Sequence, residues 1–130
     1  MLRLLLIEDD PEIRELIQSV LEVEYNVLAA SSLDEAEDCW LDHGEEINLV
    51  LSDLCLPDAK STVSRVRGWQ TEYPGLQAVF VSGLGVAAVQ ADFGLEEGVD
   101  FLSKPFTFSE LRKTVAGAAS RCETLRDKAA

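Results

Sequence analysis

The residues best suited to chemistry stand directly after short apolar runs of this 130-residue chain. Three acids at positions 8–10 follow the first run, and Asp53 follows the third. Ser82 closes the fourth run, and Lys104 comes directly after the fifth. Carboxylates, a hydroxyl and one cation therefore recur at the same point of successive segments, which predicts that they share one site.

Such a set of side chains is suited to phosphoryl transfer. Converging carboxylates repel one another unless protons or a cation intervene, and all-oxygen ligation suits Mg²⁺. A carboxylate can also attack phosphorus and form an aspartyl phosphate. The transferred group then needs partners for its oxygens, and Lys104 and Ser82 supply a cation and a hydroxyl. The residues predict a Mg²⁺ site that accepts a phosphoryl group.

Alternating apolar runs and helical patterns predict the elements that position these residues. Five runs are expected to be strands: residues 2–7, 26–29, 47–52, 77–82 and 99–103. Their alternation with helical patterns indicates an α/β, doubly wound parallel sheet with helices on both faces. In the flavodoxin-like (βα)5 order 2-1-3-4-5, strands 1 and 3 are neighbours. That order places Glu8 and Asp9 beside Asp53, at the carboxyl edge where open α/β sheets bind ligands.

Capping signals mark three of the five predicted helices. Asp10 is an N-cap before a proline, and the pairs Ser32/Glu35 and Thr107/Glu110 fit the capping box. These signals start the first, second and last helices. The third helix is expected around residues 62–72, the fourth around 86–95, and the last from about 110 to near 126.

Composition excludes several classes of function. The chain has 24 acidic and 11 basic residues, a net charge of −13, so nucleic acid and anionic lipid are not expected partners. No apolar run approaches the roughly 20 residues of a membrane span, and no signal peptide is apparent. Three cysteines without a CxxC pair point to a reducing compartment, so a cytoplasmic location is expected.

Four segments together resemble the receiver domain of two-component response regulators. They are LLLIEDDPEIR (residues 4–14), DLCLP (53–57), VSG (81–83) and FLSKPF (101–106). The resemblance covers roughly residues 2–120, so a receiver domain is expected at 1–121. The remainder, 122–130, is expected to be the end of the last helix or the start of a linker.

The resemblance implies a role for each matching acid. Asp53 is the expected phosphoacceptor, which takes its phosphoryl group from a phosphohistidine on a sensor histidine kinase or a phosphotransfer protein. Glu8 and Asp9 match the acidic pair that positions Mg²⁺, with Asp9 the direct ligand and Glu8 often acting through water. The backbone carbonyl of Cys55 matches the family's third protein ligand.

The resemblance also implies a switch. Ser82 matches the hydroxyl that turns toward the phosphoryl group, and Lys104 matches the lysine that pairs with it. Phe101 stands at the aromatic switch position, and a cis bond is expected between Lys104 and Pro105. Phosphorylation is expected to alter the face formed by the fourth helix, the fifth strand and the fifth helix, and so to control a partner or an attached domain.

Several positions depart from the family pattern. Ser61 stands where glycine is usual, which leaves the start of the third helix open, and Phe101 replaces the commoner tyrosine. Cys55 and Leu84 occupy the two positions that usually tune self-dephosphorylation. Neither carries a charge or an amide to orient the attacking water, so a long-lived phosphoryl group is expected.

Other interpretations remain open at this point. Asp10 is most simply a helix cap, and Phe101 is as readily a core residue as a switch. The alternative function is a pseudo-receiver that binds partners without phosphorylation, although the chain retains every acid and the lysine. An enzyme is not expected. A nucleotide-binding protein would carry GxGxxG or a P-loop, and this chain has neither. A Mg²⁺-dependent phosphatase of the haloacid-dehalogenase type would carry its aspartyl nucleophile in a DxD motif after the first strand, whereas Asp53 follows the third. Residues 98–107 are similar to receivers of hybrid sensor histidine kinases, whereas a single-domain regulator or a regulator with an output domain fits equally well. The oligomeric state is undetermined.

Overall fold

Five parallel strands form one sheet in the order β2-β1-β3-β4-β5, as predicted. The computed structural model describes residues 1–55, 57–83 and 100–129. The strands are β1 (Arg3–Ile7), β2 (Asn26–Ala30), β3 (Ile47–Asp53), β4 (Gln77–Ser82) and β5 (Asp100–Ser103). β3 and β4 are buried along their whole length, which explains why their sequences are nearly continuous apolar runs.

Four helices flank the sheet within these described ranges. They are α1 (Pro11–Leu21), α2 (Leu33–His43), α3 (Ala59–Glu72) and a C-terminal helix (Phe108–Ala129), and a short 3-10 helix (Gly44–Glu46) follows α2. The fourth helix predicted at residues 86–95 lies outside the described residues. No described helix is both long and apolar enough to cross a membrane.

The predicted caps are present, with one difference of detail. The Asp10 side chain accepts from the main-chain N–H groups of Glu12 and Ile13, at 2.9 and 3.4 Å. Thr107 and Glu110 exchange reciprocal bonds of 3.0 and 3.1 Å, which completes a capping box. Ser32 likewise caps α2. The Glu35 carboxylate, however, reaches the N–H of Ser31 at 2.7 Å instead of that of Ser32.

Two helix boundaries differ from the predictions. α3 begins at Ala59, three residues before the predicted start. Ser61 lies within this first turn, where serine is a better helix former than the family's usual glycine. The C-terminal helix begins at Phe108 and extends to Ala129, because Thr107 is its cap and the following residue is already helical.

Alternating strand residues supply two hydrophobic layers, one on each face of the sheet. In β1, Leu5 and Ile7 join the layer under α2 and α3, while Leu4 and Leu6 join the layer under α1 and the C-terminal helix. Trp40 of α2 stacks on Trp69 of α3 with ring centroids 4.4 Å apart. Both tryptophans therefore pack helices against the sheet. The two layers hold the strands rigidly and fix where their carboxyl ends lie.

Candidate functional site

The site lies at the carboxyl edge of the sheet, where main-chain bonds tie neighbouring loops together. The N–H of Leu54 donates to the carbonyl of Val81 at 2.8 Å. The N–H of Lys104 donates to the carbonyl of Ser82 at the same distance. The segments after β3 and β5 are thus each fixed to the end of β4, and the side chains they carry are held in place by backbone contacts.

Asp53 is the buried carboxylate of this site, only 4% exposed at the end of β3. Its Oδ2 lies 2.6 Å from Lys104 Nζ, and its Oδ1 accepts the Cys55 N–H at 2.8 Å. Burial alone would raise the pKa of Asp53, but hydrogen bonds from Glu8, Lys104 and Cys55 outweigh it and lower the pKa. Asp53 therefore carries a negative charge at neutral pH.

Lys104 is the cation that balances Asp53. Partial burial disfavours its charge, yet the hydrogen bond and the charge of Asp53 outweigh that effect and raise the pKa of the ammonium group. Short, charge-assisted bonds of this kind are about twice as strong as neutral ones. The peptide bond between Lys104 and Pro105 is cis, as expected.

Glu8 lies against Asp53 and is only 3% exposed. Burial, followed by the hydrogen bond to Asp53 and its negative charge, raises the pKa of Glu8 to about 8. The carboxyl of Glu8 is therefore protonated at neutral pH in the metal-free protein and donates to Asp53. It also accepts the N–H of Asp10 at 3.2 Å. Two carboxyl groups this close keep a proton between them because the single charge of Lys104 balances only one of them.

This pair fits the chemistry of a Mg²⁺ site, although the acids are not gathered into a complete one. Asp9 and Cys55 are exposed beside it. Within the described ranges, no three His, Cys, Asp or Glu side chains are close enough to hold a metal ion. Carboxylate and carbonyl oxygens are nevertheless the donors that Mg²⁺ prefers, and Mg²⁺ characteristically keeps several waters. Glu8, Asp9, Asp53 and the Cys55 carbonyl thus have the right donor chemistry.

The two predicted switch residues lie on the neighbouring strands β4 and β5. Ser82 is buried at the end of β4 and pairs in register with Ser103 of β5. Phe101 is half-buried, with its ring centroid 6.4 Å from that of Phe80. Phe101 packs against the layer under α2 and α3, so it contacts the core and is partly open to solvent. Leu84, the second position expected to tune dephosphorylation, lies outside the described residues.

One contact in the site was not predicted from the sequence. Arg14 Nη1 donates to the main-chain carbonyl of Glu8 at 2.9 Å. Arg14 belongs to the first segment that resembles the receiver family, but its type and position alone assigned it no role. The signal that could have identified it is its position four residues into α1, from which a long side chain can reach back to the preceding loop.

Comparison with known proteins establishes the family. The model of the response regulator receiver domain matches residues 4–116, which is most of the chain. The chain belongs to the receiver domain family. As a receiver domain it is a signalling module with a general role in phosphorelay, and its fold of five parallel strands is that of its structural neighbours.

Individual relatives come from different kinds of signalling protein. The receiver chain is 33% identical over 129 residues to response regulator Rre1 of Synechocystis, covering 95% of this chain and 54% of Rre1. It is 29% identical over 112 residues to sensor kinase CckA of Brucella abortus, covering 85% of this chain and 12% of CckA. This receiver chain therefore spans about half or less of these two relatives.

A solved structure supports the same grouping. The receiver domain from hybrid histidine kinase CckA is 27% identical and aligns with a TM-score of 0.71, covering 89% of this chain and 97% of that one. The similarity thus extends to receivers of hybrid kinases as well as to response regulators.

Proposed function

We propose that Asp53 accepts a phosphoryl group from a phosphohistidine on a sensor histidine kinase or a phosphotransfer protein. The observation that carries this proposal is the environment of Asp53: a buried carboxylate at the carboxyl edge, 2.6 Å from Lys104 and in contact with Glu8. A purely structural strand-end aspartate has no need of a lysine and a second carboxyl group. Fixed charges in a partly dry site are what phosphoryl transfer requires.

Each residue has a defined part in the transfer. An oxygen of Asp53 forms a bond to phosphorus as the phosphorus–nitrogen bond of the phosphohistidine breaks, and the imidazole leaves with the electron pair of that bond. Lys104, now paired with Asp53, moves its charge to the phosphoryl oxygens. Ser82 offers its hydroxyl to the same oxygens. The domain assists its own phosphorylation and dephosphorylation in this way and acts on no separate substrate.

We further propose that Glu8, Asp9, Asp53 and the carbonyl of Cys55 hold Mg²⁺. The ion, when bound, neutralises charge on the transferring phosphoryl group. For binding to occur, Glu8 must release the proton that it shares with Asp53 in the metal-free protein. Asp9 is exposed and is therefore free to serve as a direct ligand.

The output follows from movement of the switch residues. Ser82 turns toward the phosphoryl group and Phe101 follows it, which alters the face containing β5 and the C-terminal helix. The fourth helix of this face, expected at residues 86–95, lies outside the described residues. A shift between two states that differ by a few kcal/mol is enough for control of a partner or an attached domain. That domain is a kinase if the receiver belongs to a hybrid protein.

The domain boundaries and the location follow the same proposal. The receiver occupies residues 1–121, and residues 122–130 are the end of the C-terminal helix or the start of a linker. The protein acts in the cytoplasm, where its three cysteines, all within the described ranges and outside any disulfide, remain reduced.

The test is the intact mass of the protein after incubation with acetyl phosphate and Mg²⁺. We expect one phosphate adduct that is lost with EDTA and in Asp53→Asn. Asp100→Asn is the matched control, because Asp100 is also a paired aspartate but lies at the start of β5; it should retain the adduct. A folded wild-type protein that forms no adduct would favour the phosphorylation-independent pseudo-receiver instead.

A further inference from the structure

Arg14 makes a contact that links α1 to the acidic segment after β1. Its side chain is half-buried, and its Nη1 lies 2.9 Å from the carbonyl oxygen of Glu8, six residues earlier. Since β1 ends at Ile7, the carbonyl of Glu8 stands beyond the last residue of the strand. Arg14 supplies a donor for it.

The other main-chain group of Glu8 is held as well. Its N–H donates to the carbonyl of Ala30 at 3.0 Å. Both peptide groups that flank the Glu8 side chain are therefore fixed, one by β2 and one by Arg14. A backbone held on both sides restricts the direction of the side chain it carries, and here that side chain contacts Asp53.

The charge of Arg14 also acts on an acid of α2. The pKa of Glu35 is lowered chiefly by hydrogen bonds from Ser31, and the charge of Arg14 adds a smaller lowering. A planar guanidinium has several donors in fixed directions, so it can hold a carbonyl in a more defined direction than a lysine does.

We propose that Arg14 is a positioning residue that sets the Mg²⁺ affinity of the receiver by fixing the backbone that carries the Glu8 side chain. This inference rests on the proposed metal site and deepens it. Arg14 contacts the Glu8 carbonyl and acts on the carboxylates through the main chain. Residues that support metal ligands in this way commonly change metal affinity about 10-fold to 100-fold when replaced.

The test is the Mg²⁺ dissociation constant of the unphosphorylated protein, measured by calorimetry for Arg14→Met. The site is strongly acidic, so the simple loss of a positive charge would tighten cation binding. Positioning predicts the opposite sign: we expect affinity to fall about 10-fold. Arg112→Met, an exposed arginine on the C-terminal helix, is the matched control and should bind Mg²⁺ as tightly as wild type or slightly more tightly.

A double variant tests whether Arg14 acts on Mg²⁺ binding through Glu8 or through a general disturbance of the fold. If Arg14 acts through the Glu8 segment, Arg14→Met should change Mg²⁺ affinity less than about 3-fold in a Glu8→Gln background, since coupled residues are not additive. Should Arg14→Met fail to fold by circular dichroism, Arg14→Lys takes its place, with an intermediate loss expected. Unchanged or tighter Mg²⁺ binding by the folded variant would overturn the proposal.

The outcomes also separate this inference from the proposed function. Mg²⁺ binding that weakens in Arg14→Met, in a wild-type protein that forms no phosphate adduct, would refute phosphorylation and support the role of Arg14. An adduct at Asp53 together with an unaffected Mg²⁺ affinity would support phosphorylation and refute that role. A wild-type protein without measurable Mg²⁺ binding would refute both.

Discussion

The two edges of the sheet use similar ion pairs in different surroundings. At the carboxyl edge, Lys104 and Asp53 approach to 2.6 Å, and Asp53 is 4% exposed. At the amino edge, Arg3 and Glu46 approach to 2.5 Å, but the Glu46 side chain is 62% exposed. Charge interactions are screened where water has access and strengthened where it does not. Contact distance is therefore a poor guide to function, and burial is the property that distinguishes the two edges.

The two edges also differ in the protonation of their charged groups. At the carboxyl edge, burial and the charge of Asp53 raise the pKa of Glu8 to about 8, and the pKa values of Asp53 and Lys104 are shifted in the directions that preserve their charges. Perturbed groups of this kind concentrate at functional sites. At the amino edge, polar contacts join strands to a helix: Arg121 of the C-terminal helix contacts Gln77 of β4 and Asp100 of β5. The carboxyl edge therefore holds the groups with shifted pKa values, whereas the amino edge holds ion pairs that join the ends of strands and helices.

The largest expected effect concerns Glu8 and the dependence of stability on pH. Its pKa is raised from 4.5 to about 8, so the folded state binds more protons than the unfolded state between these values, and stability falls as pH rises. Without metal, we expect the free energy of unfolding to fall by about 3 kcal/mol between pH 5.5 and 8 relative to Glu8→Gln. The lowered pKa of Asp53 and the raised pKa of Lys104 place their titrations outside this window.

Urea denaturation in EDTA at several pH values measures this effect. The difference between wild type and Glu8→Gln is the quantity to follow, because the variant lacks the titrating group, its amide can still donate to Asp53, and groups away from this pair are the same in both proteins. A difference that is independent of pH would show that the pKa of Glu8 is that of an ordinary exposed carboxylate. The two edges of the sheet would then not differ in the protonation of their acids.

Breaking one ion pair at each edge gives the next effect in size. We expect Lys104→Met to lower the free energy of unfolding by about 2 kcal/mol, because it leaves the buried Asp53 without its charged partner. Glu46→Gln, which removes the exposed partner of Arg3, should cost less than 1 kcal/mol. Urea denaturation at neutral pH and moderate salt measures both losses of unfolding free energy. Equal losses would contradict the claim that the buried ion pair contributes more to stability than the exposed one.

The smallest expected effect concerns the lifetime of the phosphoryl group. Cys55 is exposed beside Asp53 and lacks an amide or a charge to orient water, so the phosphoprotein should persist well beyond seconds. An amide in Cys55→Asn is expected to shorten this lifetime about tenfold, equivalent to ~1.4 kcal/mol. The decay of the adduct by mass spectrometry measures it, with Cys39→Ser on α2 as a control. Decay of the wild type within seconds would be the contrary result.

The carboxyl edge was largely predictable because parallel strands end together. Once five strands and their order are inferred, Glu8, Asp53, Ser82 and Lys104 must share one edge. Their protonation was not predictable, since it depends on how deeply Glu8 is buried and how closely it approaches Asp53. The Arg14 contact was missed for a related reason: it depends on the path of one long side chain.

The fold, like the carboxyl edge, was largely predictable from the sequence. Strand order and helix caps follow from local patterns, such as Asp10 before a proline and the Thr107/Glu110 pair. The start of α3 was placed too late, because Ser61 was compared with a family glycine that favours a turn. Expectations for the fourth helix and for Leu84 remain predictions, since both lie outside the described residues.

The central claim is tested most directly by locating the phosphoryl group. Borohydride reduces an acyl phosphate to the alcohol, so it converts a phosphorylated aspartate into homoserine, which peptide sequencing by mass spectrometry identifies. After treatment with acetyl phosphate and Mg²⁺, the account predicts homoserine at position 53 and unmodified side chains at Glu8, Asp9 and Asp100. Modification at one of those three acids, with Asp53 intact, would contradict it.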